Sequence, residues 1–171
     1  WLHAVGLGEV LALRGLIVEL NKQEKNLNFL VTSSTLLSAR VFKINCPPNT
    51  IHQFLPYDVG VYCKRFLRQW APDLVVWSEQ DVWPGLSSLA AKFGIKQVLV
   101  NGKMREDSFN RRKKIKSLHR IVYSKFEFIS TQDLASKNFY KKLGAPCATR
   151  LDGSLKPHCP PLVFDEEKLK R

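Results

Sequence analysis

The sequence predicts an α/β domain in which helices cover both faces of a parallel sheet. Three observations carry this reading. Segments with strand and helix patterning alternate about six times along 171 residues. The connections between them are short, as expected when helices link neighbouring parallel strands. Apolar residues make up 44% and charged residues 25%, and a chain of this length can bury a core without disulfides or a metal.

Each element has a local reason. Trp1 to Val5 is short and apolar and reads as a buried strand. From Glu9 to about Lys25, Val10, Leu13, Leu16, Ile17 and Leu20 recur at helical spacing. Asn28 to Thr32 reads as a second strand, Leu36 to Phe42 as a short helix and Cys46-Pro47-Pro48-Asn49 as a turn. Thr50 to Leu55 is a strand, and Pro56-Tyr57-Asp58 leads into a helix from about Val59 to Trp70. Leu74 to Trp77 and Gln97 to Val100 are strands on either side of a helix opened by Pro84 and reaching Phe93. A long basic helix is expected over about Ser108 to Tyr123, followed by a strand Phe126 to Ser130 and a helix Asp133 to Leu143 closed by Gly144. Past Leu151 the pattern dissolves into Lys156-Pro157-His158-Cys159-Pro160-Pro161. The expected division is therefore a domain over 1–152 and a linker over 153–171 toward a further domain. The start at Trp1 rather than Met suggests a piece of a longer polypeptide, compatible with an anchor upstream of it.

In sheets of this kind, ligands gather beyond the carboxyl ends of the strands, close to helix amino termini. The candidate turns are 6–9, 32–35, 56–58, 78–84 and 101–108. The first carries Gly6-Leu7-Gly8-Glu9-Val10-Leu11, a near match to a dinucleotide fingerprint with Leu11 in the third glycine's place. No acidic residue ends the second strand, which disfavours a dinucleotide. Gly6 and Gly8 still allow another group close to the backbone. Glu9 stands where the helix begins and where partial positive charge favours an anion. It is either a helix cap or a proton acceptor. Glu79 and Asp81 sit two apart at a strand end and aim the same way, so they either orient a hydroxyl or cap and pair locally. Thr32-Ser33-Ser34-Thr35, with Ser33 and Ser34 at its centre, binds phosphate or sugar or caps a helix. Tyr57 and Asp58 line the cleft or only form a turn.

Net charge is +12, and it is unevenly placed. Residues 1–60 hold 5 Lys/Arg against 4 Asp/Glu, whereas residues 61–171 hold 22 against 11. That field suits a polyanion: nucleic acid, an anionic membrane or a phosphorylated substrate. The stretch from Lys103 to Arg120 alone carries 8 basic and 2 acidic residues. Lys103 and Arg105, nearest the strand end, are the better candidates for a specific phosphate contact. Arg111, Arg112, Lys113 and Lys114 are candidates for a membrane-facing cluster. Phe109 is the only aromatic in the stretch and no nucleic-acid motif is present, so a nucleic-acid partner is not expected. Cys46, Cys63, Cys147 and Cys159 have no paired spacing and read as reduced thiols of a cytosolic protein. There is neither an Asp-x-Asp motif nor a ligand pattern for a metal, and no metal or cofactor is expected. Trp70, Trp77 and Trp83 read as packing residues.

Five blocks, in order, resemble one family. Residues 1–10 read W-L-H-A-V-G-L-G-E-V, similar to W-x-H-A-V-S-x-G-E. Leu55-Pro56-Tyr57-Asp58 resembles L-P-Y-D, and Glu79 to Pro84 resembles E-T-E-L-W-P. Asn101 to Ser108 resembles N-A-R-L-S-E-R-S, and Gly153-Ser154-Leu155-Lys156 resembles G-N-L-K. These are blocks of the Kdo (3-deoxy-D-manno-octulosonic acid) transferases of bacterial lipopolysaccharide synthesis. The resemblance implies the Rossmann-like amino-terminal lobe of a GT-B glycosyltransferase, which receives the acceptor. It implies transfer of Kdo from CMP-Kdo to a lipid A precursor (lipid IVA) with inversion, Glu9 acting as general base. CMP-Kdo is then a donor substrate, bound mostly by a carboxy-terminal lobe, and the isolated fragment is expected to be inactive. The implied location is the cytoplasmic face of the bacterial inner membrane, against its anionic surface. Departures include Gly6 for Ser, Gln80 for Thr, Asp81 for Glu, Gly85 for Asn, Lys103 for Arg and Ser154 for Asn. A different GT-B glycosyltransferase, using another sugar nucleotide, is the main alternative.

Overall fold

A computed structural model describes residues 1–79, 82–145 and 148–162. Among the described residues, seven strands, all paired in parallel, form one sheet in the order β3-β2-β1-β4-β5-β6-β7. They are β1 (Leu2–His3), β2 (Phe29–Ser33), β3 (Thr50–Phe54), β4 (Leu74–Ser78), β5 (Lys96–Gly102), β6 (Phe128–Thr131) and β7 (Ala148–Leu151). The helices between them are α1 (Leu7–Gln23), α2 (Leu36–Ile44), α3 (Gly60–Trp70), α4 (Pro84–Lys92), α5 (Glu106–Lys113), α6 (Lys116–Tyr123) and α7 (Leu134–Lys142). None of the described helices is long and apolar enough to cross a membrane.

Strand alternation splits the apolar residues into two layers. On one face Leu2, Val31, Val76 and Val98 pack with Val10, Leu13 and Ile17 of α1 and Phe42 of α2. On the other, Trp1, Leu30, Trp77, Leu99 and Ile129 pack with residues of α3, α4, α6 and α7. The central strands are buried on both sides, which is why they read as nearly continuous apolar runs.

Two expectations need correcting. The basic helix over Ser108–Tyr123 is two helices, broken at Lys114-Ile115, with Ile115 at φ −123° and ψ 44°. The cations Arg111, Arg112 and Lys113 complement the negative carboxyl end of α5. An unbroken helix would also set Arg112 against Lys116, a like pair four residues apart. The strand β7 went unforeseen, because an exposed edge strand of Ala-Thr-Arg-Leu has no apolar alternation and is held by its backbone ladder to β6.

The strand order positions the site. The chain runs outward from β1 to β2 and β3, then returns to β4 on the far side of β1. At that reversal the β1 and β4 turns diverge and leave a crevice at the carboxyl ends of the strands.

Candidate functional site

Glu9 opens the site. Gly6 is the N-cap of α1 and Glu9 its third helical residue. The Glu9 side chain reaches back so that Oε2 accepts the backbone N–H groups of Val5 and Gly6, both at 3.2 Å. The Gly6 N–H is the N-cap donor that the third-residue glutamate of a capping box meets, and the Val5 N–H before it shares the same oxygen. Among the described residues, Oε1 receives no hydrogen bond and Glu9 forms no ion pair. One oxygen is therefore fixed to the backbone, which holds the other in a defined place.

That carboxylate forms part of the wall of a cleft of about 590 Å³, lined by Gly8, Glu9, Glu79, Lys103, Arg105, Asp107, Ser108, Arg111 and Lys156. Four of these are cations and three are carboxylates, so the cleft is polar and sets carboxylates among positive charges. Glu79 follows β4, and Lys103 and Arg105 follow β5. The strand ends are conformationally unusual: Glu79 and Asn101 have φ of +58° and +56°. A non-glycine residue in this left-handed region is strained, and such strain survives only where neighbours impose it. Here the Glu79 N–H donates to the Val100 carbonyl at 3.0 Å, and the Tyr140 hydroxyl donates to the Glu79 carbonyl at 3.3 Å. Asn101 is fixed by Leu155 N–H on its Oδ1 at 3.1 Å and Gln132 Nε2 on its carbonyl at 2.9 Å.

Of the candidates, Gly8, Glu9, Glu79, Lys103 and Arg105 line this one cleft, and Gly6 lies beside Glu9. Asp81 lies outside the described residues, as do Gln80 and Cys147. Other candidates are placed elsewhere. Ser33 is buried, its hydroxyl 2.9 Å from His52 Nε2, and Ser34 is exposed outside the cleft lining. Thr35 is the residue of that row that caps α2, accepting Ser38 N–H at 3.1 Å. Asp58 caps α4: its carboxylate accepts Gly85 N–H at 2.9 Å and Leu86 N–H at 2.6 Å. Tyr57 is exposed beside it. The basic cluster divides: Arg111 lines the cleft, Arg112 is half-buried, and Lys113 and Lys114 face outward. Trp77 is wholly buried and donates to Gln97 Oε1 at 3.0 Å, whereas Trp83 is partly exposed ahead of α4.

Lys156, Asp107 and Ser108 were not singled out as site residues. Lys156 belongs to the segment after β7, not to a strand-to-helix turn, and only its place at the end of Gly153-Ser154-Leu155-Lys156 marked it. Phe109 is buried and stacks on Phe139 with centroids 4.5 Å apart, so the basic stretch offers no exposed aromatic platform. Cys46, Cys63 and Cys159 are free thiols, and burial with the Asp58 charge pushes Cys63 up to about 11. It is a packing residue and not a nucleophile at neutral pH.

Comparison with known proteins identifies the family of the chain. A family model described as 3-deoxy-D-manno-octulosonic-acid transferase (kdotransferase) matches residues 1–158. A 3-deoxy-D-manno-octulosonic acid transferase of Rickettsia prowazekii (strain Madrid E) is 33% identical over 171 residues, covering 100% of this chain and 37% of the relative. A probable mitochondrial 3-deoxy-D-manno-octulosonic acid transferase of Arabidopsis thaliana is 32% identical over 148 residues, covering 85% of this chain and 33% of the relative. The chain therefore spans about a third of the length of these curated relatives. Among solved structures, UDP-N-acetylglucosamine 2-epimerase from Rickettsia bellii superposes with a TM-score of 0.61 at 16% identity, covering 91% of this chain and 45% of that one. At that identity it shares the fold alone. On the strength of the family model over residues 1–158 and of relatives matched over most or all of this chain, the chain belongs to the 3-deoxy-D-manno-octulosonic-acid transferase family.

Proposed function

We propose that this chain is the acceptor-side lobe of a GT-B glycosyltransferase that moves Kdo from CMP-Kdo to a lipid A precursor in lipopolysaccharide synthesis. The observation that carries this is the Glu9 carboxylate, anchored through Oε2 at the start of α1 and set in a cleft with Lys103, Arg105, Arg111 and Lys156. An alcohol is a weak nucleophile until its proton is taken, and a positioned carboxylate contributes typically ~100- to 10,000-fold. In this reading Glu9 accepts the proton of an acceptor hydroxyl, that oxygen bonds to the anomeric carbon of Kdo, and the carbon–phosphate oxygen bond breaks to release CMP. Base and leaving group lie on opposite sides of that carbon, so its configuration inverts. The cleft cations bind anionic groups of the substrates, the acceptor phosphates among them.

The acceptor is a membrane lipid, which gives the broken basic helix a role. Ile115, Leu118 and Ile121 are exposed at intervals of three residues beside Lys113, Lys114 and Lys116. Apolar side chains among cations suit the anionic cytoplasmic surface of the inner membrane, where each cation contributes about 1 kcal/mol.

The test is direct. The longer polypeptide containing this lobe, given CMP-Kdo and tetraacylated lipid A precursor, is expected to yield Kdo-bearing lipid of inverted anomeric configuration, read by mass and NMR. No transfer with this pair, or transfer only from another sugar nucleotide, contradicts the proposal.

A further inference from the structure

The helix α1 works on two faces. Its first turn carries Glu9, and further along Leu11, Arg14 and Gly15 stand at spacings of three and four and share a second face. The segment Leu155–Pro161 lies across that face like a strap. Gly15 permits the close approach: a Cβ there would collide with the His158 carbonyl. The Cys159 thiol points at the Leu11 carbonyl, 3.5 Å away. Arg14 is buried, with 6% of its surface exposed. Its guanidinium donates to the carbonyls of Asn45 at 2.9 Å, Pro160 at 3.2 Å and Pro161 at 3.2 Å. A buried cation is tolerated only when its N–H groups are satisfied, and here two of the three acceptors belong to the strap.

The strap also supplies the cleft. Lys156 lies between two anchors, Leu155 N–H on Asn101 Oδ1 at 3.1 Å and the Arg14–Gly15 seat. We infer that Arg14 and Gly15 are positioning residues that seat this strap on α1, hold Lys156 beside Glu9, and thereby set the affinity of the cleft for an anionic group. The inference rests on the transfer reading of that cleft. The planar fork of an arginine serves three carbonyls from three separate nitrogens in fixed directions, whereas a lysine offers its donors from a single nitrogen.

The experiment compares Arg14→Ala, Arg14→Lys, Gly15→Ala and Lys156→Ala in the longer polypeptide. Arg14→Ala and Gly15→Ala are expected to raise KM for the phosphorylated acceptor about tenfold, as Lys156→Ala does, with kcat little changed. Arg14→Lys falls between. Adding Arg14→Ala to Lys156→Ala is expected to raise KM no further, because both act through one side chain. Hydrogen exchange in residues 155–159 is expected to quicken in Arg14→Ala and Gly15→Ala. Unchanged exchange there overturns the seat, and independent, additive KM effects overturn its link to Lys156. Should the wild type transfer no Kdo, the transfer reading fails. Exchange, together with binding of inorganic pyrophosphate to wild type, Arg14→Ala and Lys156→Ala, still decides the strap: weaker binding in both variants supports it and equal binding refutes it.

Discussion

Gly6 and Glu9 hold one another in register: the Glu9 Oε2 accepts the Gly6 N–H at 3.2 Å, and a Cβ on Gly6 would stand 3.3 Å from Oε1. Gly6 has φ −78° and ψ 156°, extended backbone open to any residue, so the space beside the carboxylate is the constraint and not the conformation. Gly6→Ser, which restores the residue type of the resembling motif, needs a shift of only a few tenths of an ångström and is expected to keep kcat within a few-fold. Gly6→Val puts branched carbons against the carboxylate and is expected to lower kcat by roughly 100-fold, the effect of a base displaced by about 1 Å. Steady-state kinetics of the two variants check this; equal activities would detach the Gly6 contact from catalysis.

The outward part of the basic stretch has its own test. Replacing Lys113, Lys114 and Lys116 together with Gln is expected to weaken binding to vesicles rich in anionic phospholipid by roughly 100-fold at low salt, from about 1 kcal/mol per charge. Binding to neutral vesicles should be unaffected. Co-sedimentation measures both. Unchanged binding to the anionic vesicles returns these lysines to the role of a solvated helix end.

What could be read in advance divides along a physical line. The alternation of strands and helices was legible because the central strands are buried on both faces and α1 places Val10, Leu13 and Ile17 on one side. The capping contact of Glu9 was legible because it is made within its own turn, to the backbone of Val5 and Gly6. The rest depends on approaches made by tertiary structure. Asp58 caps a helix that begins 26 residues later, Ser33 finds His52 on the next strand, and Lys156 enters the cleft on a segment without periodicity. Only the assembled sheet brings these together.

Asp58 gives a contrast with a binding role. It stands against the first turn of α4, and a Cβ on Gly85 would lie 2.5 Å from its Oδ1, so Gly85 makes room for the cap. Asp58→Ala is expected to cost about 1–2 kcal/mol of stability in denaturant unfolding while leaving KM and kcat of the folded enzyme unchanged. A raised KM at unchanged stability would instead make Asp58 an acceptor contact.

His3 sets a pH dependence. It is fully buried in β1, its Nδ1 lies 2.9 Å from Thr32 Oγ1, and burial lowers its pKa to about 4. The unfolded chain takes up this proton near pH 6.5, whereas the folded chain resists it until about pH 4. The neutral ring's contribution is therefore complete above the unfolded value and is lost as pH falls toward the folded one. The loss amounts to roughly 3 kcal/mol. Denaturant unfolding of wild type and His3→Gln between these pH values is expected to show a shallower acid decline in the variant. Parallel declines would mean that His3 is not the titrating group.

The most direct measurement is single-turnover transfer by Glu9→Gln in the longer polypeptide, with CMP-Kdo binding measured alongside. The amide keeps the size of the side chain and can no longer take a proton. Transfer is expected to fall by ~100- to 10,000-fold, with CMP-Kdo binding nearly intact. Transfer at the wild-type rate would remove Glu9 from the chemistry and contradict the account.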